Sequence, residues 1–285
     1  MAPGRSTLAL ITCVVAAACS RAAADAPRPP PSASVAIAPS AASAPSAAPT
    51  AATPTPFPST SVAPTPRSLP LPDGRAAWFT LPGDPRARRL IAHLHGVCGG
   101  PEYACAGWMR AATELGPMVC PTGNARCGDA RTGPASWEAP SWGELVVAMD
   151  RDLEASIARV ASASPGALDR EGAILGGYSR GGYAVPVIAG MHPRRWPLLV
   201  VIEADAPMSA ASLAKAGVRA VALVAAEHGA ERAGMTRTAA ALSAGGVRAR
   251  LFVMARSSHL YPDDMNDVMR RALAFLVAEG DAGSP

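Results

Sequence analysis

The sequence predicts an α/β fold, a mostly parallel central sheet with helices on both faces, and three observations carry that expectation. From Leu71 onward, short apolar runs of β character alternate with longer stretches of helical periodicity, the pattern of strands joined by crossover helices. One run, Ile174-Leu175-Gly176-Gly177-Tyr178, passes through Ser179-Arg180-Gly181 directly into a helical pattern. Another, Leu90-Ile91-Ala92-His93-Leu94, ends in His95-Gly96 and a glycine-rich loop.

Taken in chain order, the first element is an address. Arg5 supplies a short positive region, and the apolar run from Leu8 to Ala18 is too short to cross a bilayer but suits the core of a signal peptide, assigned to residues 1–18. Ala16-Ala17-Ala18-Cys19 resembles the lipobox of bacterial lipoproteins, which implies lipidation of Cys19 and a cell-envelope protein anchored to a bacterial membrane; soluble secretion is the alternative. Cys13 is the poorer match because Thr12 is larger than such sites accept. Residues 19–70 are almost entirely Ala, Pro, Ser and Thr, a composition that cannot form a core and predicts an extended, partly polyproline-II linker.

The catalytic-sized remainder, residues 71–285, reads as one domain, consistent with a 285-residue chain that is 49% apolar and 17% charged. Strands are predicted over 76–81, 90–95, 118–121, 173–178, 198–203, 218–226 and 247–254, and helices over 106–115, 142–161, 181–190, 209–216, 235–244 and 264–278. Leu145, Met149, Leu153, Ile157 and Val160 recur at helical spacing and mark a buried stripe. No later apolar run is long enough to span a membrane. The net charge is +4, but no run of five basic residues occurs and Lys215 is the only lysine, so the electrostatic footprint of nucleic-acid binding is lacking.

The chemistry concentrates at Gly177-Tyr178-Ser179-Arg180-Gly181, a G-x-S-x-G sequence with a strand before it and a helix after it. The serine of such an elbow sits on a sharp turn that only glycines at the flanking positions allow. A hydroxyl needs a base to become a nucleophile. His259, in the loop between the last predicted strand and the last helix, is the candidate; His192 reads as a helix C-terminal cap. The segment His95-Gly96-Val97-Cys98 resembles the His-Gly segment after the third strand of α/β-hydrolases, which implies an oxyanion hole whose donors are the backbone N–H groups of Val97 and Arg180. His93 and His95 are two residues apart on a strand and point to opposite faces, which argues against a shared metal; neither metal nor cofactor is expected.

Together the His-Gly loop, the elbow and the terminal histidine resemble the α/β-hydrolase superfamily over residues 71–280, most nearly small secreted esterases and dienelactone-hydrolase-like proteins. The resemblance implies Ser179 as nucleophile, His259 as base and Gly96, Val97 and Cys98 as the oxyanion loop. Its acid does not carry over: where such families show an aspartate after the next-to-last strand, this chain has Glu227-His228-Gly229-Ala230-Glu231, with the expected position on or next to Gly229. Glu231 is the preferred substitute, then Asp205, then Glu227. Four cysteines remain beyond the leader, and in an exported domain an even number favours disulfides. Of three possible pairings, Cys98–Cys105 and Cys120–Cys127 close the shorter loops and are expected. The stretch Pro121–Trp142, with Trp137 and Trp142, either walls the pocket or anchors itself to the core.

These features predict a serine hydrolase that cleaves a small-molecule ester, or a thioester or amide, through an acyl-enzyme. A peptidase of the prolyl-oligopeptidase type, or a non-catalytic envelope lipoprotein on a hydrolase scaffold, is the alternative.

Overall fold

The computed structural model describes residues 64–129 and 131–281. The signal peptide, Cys19 and most of the linker lie outside the described residues. The strands are β1 (Arg67–Pro70), β2 (Ala76–Thr80), β3 (Arg89–Leu94), β4 (Met118–Pro121), β5 (Ala125–Arg126), β6 (Ala135–Ser136), β7 (Asp169–Tyr178), β8 (Leu198–Ile202), β9 (Ala220–Ala226) and β10 (Arg248–Met254). The helices are α1 (Gly100–Ala104), α2 (Met109–Thr113), α3 (Trp142–Ala163), α4 (Arg180–Met191), α5 (Ala210–Lys215), α6 (Arg232–Ala244) and α7 (Met265–Asp281).

The main sheet runs β1-β2-β4-β3-β7-β8-β9-β10. Strands β1 and β2 are antiparallel to their neighbours, and every pairing from β4 to β10 is parallel. A parallel sheet is covered on both faces, so its central strands are apolar throughout, as β8 (LLVVI) and β9 (AVALVAA) are, with every residue buried. Side chains alternate between two cores. Ala92, Leu175 and Val201 pack with α3, α4 and α6, whereas Ile91, Ile174 and Val200 pack with α2 and α7. The predicted stripe of α3 is buried, and Ser141 caps that helix by accepting from the Glu144 N–H at 3.3 Å.

The fold begins earlier than the linker boundary expected at residue 70. Arg67–Pro70 pairs with β2, Leu69 opposite Ala77, and forms the sheet edge, where a proline that cannot donate to a ladder is tolerated. Helix α1 and the hairpin β5–β6 are additional elements, too short to leave a periodic signal.

Candidate active site

Strands β3, β7 and β8 run parallel and deliver three loops to one carboxyl edge, where open α/β sheets place their sites. Ser179 follows β7 with φ 51° and ψ −119°, a conformation that L residues seldom adopt outside functional turns. Its flanking glycines are required by space: a Cβ on Gly177 would lie 2.4 Å from the Gly181 carbonyl oxygen, and one on Gly181 would lie 2.3 Å from that of Leu94. The Ser179 N–H donates to the Ile202 carbonyl at 2.8 Å, locking the turn onto β8.

His259, in the loop between β10 and α7, places Nε2 3.1 Å from Ser179 Oγ. Its Nδ1 lies 3.0 Å from Glu203 Oε2. With the ring hydrogen on Nδ1 donated to that carboxylate, Nε2 is left to accept from the serine hydroxyl. Glu203 is the first residue after β8, is 1% exposed and has φ 51°. Its N–H donates to the Val224 carbonyl at 2.9 Å, and its second carboxylate oxygen accepts the Ala226 N–H. Tyr178 pairs with Ile202 in the β7–β8 ladder, so Ser179 and Glu203 each stand one residue beyond the same rung.

None of the three carboxylates expected from the sequence faces His259. Glu231 accepts from the Tyr183 hydroxyl at 2.9 Å and from the Asp205 N–H at 3.1 Å. Asp205 accepts from the Thr238 hydroxyl at 3.0 Å on α6. Glu227 accepts from the Arg256 N–H at 2.8 Å, which holds its carboxyl below the usual range. The loop after β9 therefore directs its acids to its own supports, and the acid beside the histidine comes from β8.

Gly96 passes against Ser179, a Cβ there standing 3.0 Å from Ser179 Cβ. Gly96 and Val97 thus enter the site from one side, and Arg180, at the start of α4, from the other. The loop rests on His95, which is buried, contacts the Gly96 and Thr122 carbonyls at 2.7 and 3.0 Å, and stacks on Trp137 at 4.8 Å. Trp137 is buried and donates its indole N–H to the His95 carbonyl at 3.0 Å, so it anchors the loop to the core, whereas Trp142 is exposed. His93 points to the opposite core, edge-on to Trp108 at 5.1 Å, where burial pushes its pKa down to about 3.

The histidine loop has its own support, which the sequence did not reveal. The Tyr178 hydroxyl donates to the His259 carbonyl, the Tyr103 hydroxyl accepts the Tyr261 N–H at 2.8 Å, and the rings of Tyr103 and Tyr261 stack at 5.0 Å. Burial, reinforced by Tyr103, raises the Tyr178 hydroxyl pKa above its ordinary range.

Two disulfides frame the site, joining Cys98 to Cys127 and Cys105 to Cys120 in place of the expected Cys98–Cys105 and Cys120–Cys127. The intervening helix α1 carries Cys105 into the buried core that also receives Cys120, while Cys98 stays exposed on the loop after Gly96, beside the β5–β6 hairpin. Proximity along the chain is thus overridden by which side of the loop each sulfur faces. Among the described residues, Asp150, Glu154 and His192 could together offer a metal three ligand atoms within 4.8 Å of one another. They are already paired, His192 with Asp150 at 2.9 Å and Glu154 with Arg195 at 2.6 Å.

No protein-family model matches the chain, and no curated protein matches it. Solved structures do. Esterase PE8 superposes with a TM-score of 0.52 at 19% identity, covering 76% of this chain and 100% of its own. S-formylglutathione hydrolase from Staphylococcus aureus gives 0.52 at 12% identity, covering 78% and 100%. Carboxyl esterase 2 from the mycorrhizal fungus Tuber melanosporum gives 0.50 at 16% identity, covering 80% and 89%. With an eight-stranded, mostly parallel sheet and a serine elbow at its carboxyl edge, this chain has the α/β-hydrolase fold.

Proposed function

We propose that the protein is a serine hydrolase of carboxylic esters. The observation that carries this reading is the continuous relay from Ser179 Oγ to His259 Nε2 at 3.1 Å and from His259 Nδ1 to Glu203 at 3.0 Å. Ser179 attacks the ester carbonyl while His259 takes its proton. The negative charge that develops on the carbonyl oxygen is held by the backbone N–H groups of Val97 and Arg180, and His259 then returns the proton to the departing alcohol. Water repeats the sequence on the acyl-enzyme. Glu203 keeps the imidazole in the useful tautomer and stabilises the imidazolium. Esterases among the solved structures of the same fold support the choice of an ester over a peptide.

The test is labelling of the disulfide-intact protein by a fluorophosphonate, with turnover of p-nitrophenyl esters followed in parallel. Wild type is expected to label and turn over, and Ser179→Ala to do neither. A folded wild-type protein that does not label would overturn the reading in favour of a non-catalytic scaffold. We further propose export and anchoring through a lipid on Cys19, a site outside the described residues. Incorporation of labelled palmitate, abolished by Cys19→Ala, tests it; equal incorporation by the variant would sink it.

A further inference from the structure

The residue after Ser179 is an arginine, and among the described residues no ion pair compensates its charge. Arg180 is half-buried, its backbone adjoins Ser179, and one guanidinium nitrogen donates to the Trp137 carbonyl at 3.3 Å, a neutral acceptor. That contact fixes the side chain beside the wall that carries the oxyanion loop, because the Trp137 indole is itself bonded to the His95 carbonyl. Among the described residues no carboxylate lies within 4 Å of the guanidinium. Glu203 is fully engaged with His259 and the Ala226 N–H, and Glu138, one residue beyond Trp137, lines a neighbouring cavity of about 650 Å³ together with Glu102, Arg75 and Arg126.

An arginine retains its charge at any working pH, and its five N–H donors form a fork that matches a carboxylate. Among the described residues one hydrogen bond, to a carbonyl, uses that fork. Val97, after Gly96, and Leu260, after His259, are exposed and apolar, so neither loop adds a charge at these positions. We infer that Arg180 is a specificity-determining residue and that the substrate is an ester bearing an anionic group, a carboxylate or its equivalent, near the scissile bond. The inference rests on the serine-hydrolase reading and names the substrate class of that same site.

The experiment compares kcat/KM for esters matched in size but not in charge. In one arm the acyl chain carries the anion, p-nitrophenyl hemisuccinate against p-nitrophenyl butyrate; in the other the alcohol carries it, a carboxy-substituted nitrophenyl acetate against p-nitrophenyl acetate. Wild type is expected to favour the anionic member of at least one pair by about tenfold or more, the range of a charge-assisted hydrogen bond. Arg180→Gln is expected to erase that ratio, Arg180→Lys to keep part of it, and added salt to lower it in the wild type without any substitution. An enzyme that labels with fluorophosphonate and turns over neutral esters, yet shows no charge preference in either arm or the same preference in Arg180→Gln, overturns the inference alone. Failure to label overturns the hydrolase reading beneath it.

Discussion

The carboxylate of Glu203 occupies the space beside Gly229 that a side chain there would fill: a Cβ on Gly229 would stand 2.9 Å from Glu203 Oε2. The loop after β9, where the resemblance implies an acid, carries a glycine at the point where the residue after β8 brings its carboxylate. Glutamate rather than aspartate suits the longer approach, and burial at 1% exposure makes the carboxylate dependent on its partners.

Substitution at that position is the sharpest check on the relay. Glu203→Gln is expected to lower kcat by about a thousandfold to ten-thousandfold, the range for an imidazole held in the wrong tautomer, while Glu231→Gln stays near wild type. Steady-state kinetics decide: Glu203→Gln within tenfold of wild type would place the acid elsewhere. Adding Gly229→Asp to Glu203→Ala is expected to recover part of the loss, because the carboxylate then returns to the same space from the other strand.

The hydroxyl of Tyr178 holds the backbone of the histidine loop. Tyr178→Phe is expected to reduce kcat by roughly threefold to tenfold, the net worth of one hydrogen bond, with KM little changed. A rise in KM with kcat unaltered would instead put Tyr178 in the binding surface.

The buried Cys105–Cys120 bridge ties α1, and with it Tyr103, to β4, closing a separation of 15 residues. Replacing both cysteines by alanine is expected to cost about 3 kcal/mol, read by calorimetry as a fall of roughly 6–12 °C in a domain of this size. The Cys98–Cys127 bridge lies on the oxyanion loop, so its removal is expected to lower kcat as well as stability. Peptide mapping of the oxidised protein that returned Cys98 linked to Cys105 would contradict this arrangement.

Acid sensitivity follows from His93, fully buried with its pKa pushed down to about 3. An unfolded chain binds a proton at that histidine below about pH 6.5, whereas the folded protein does not until near pH 3. Its contribution to stability is thus complete above pH 6.5 and falls as pH drops through the window from 6.5 to 3. Urea midpoints of wild type and His93→Phe, compared between pH 7 and 4, are expected to converge or cross as the pH falls, because the variant lacks this proton uptake. Parallel curves would show that His93 contributes nothing to the acid loss.

The layered sheet and the order of its helices were legible in the sequence because buried parallel strands write themselves as uninterrupted apolar runs. The meeting of Ser179 with His259 was legible because the elbow is a local steric motif and the histidine lies in the last loop. Glu203 was read as the final residue of the strand Leu198–Glu203, since nothing local distinguishes a strand end from a left-handed turn one residue beyond it. A signal did exist: a carboxylate that ends a wholly apolar run is destined for burial and needs a partner. The disulfide pairing was not legible, because helix α1, only five residues long, decides which way each sulfur faces.

Ser179 and Glu203 sit one residue past a shared rung of the β7–β8 ladder, and His259 alone rides on a loop. The separation of Ser179 and Glu203 is thus inherited from the strand spacing of the sheet, and His259 reaches both from a loop outside it. On the proposed relay, partial unfolding is expected to silence the site by releasing the His259 loop before the sheet that spaces Ser179 and Glu203 opens.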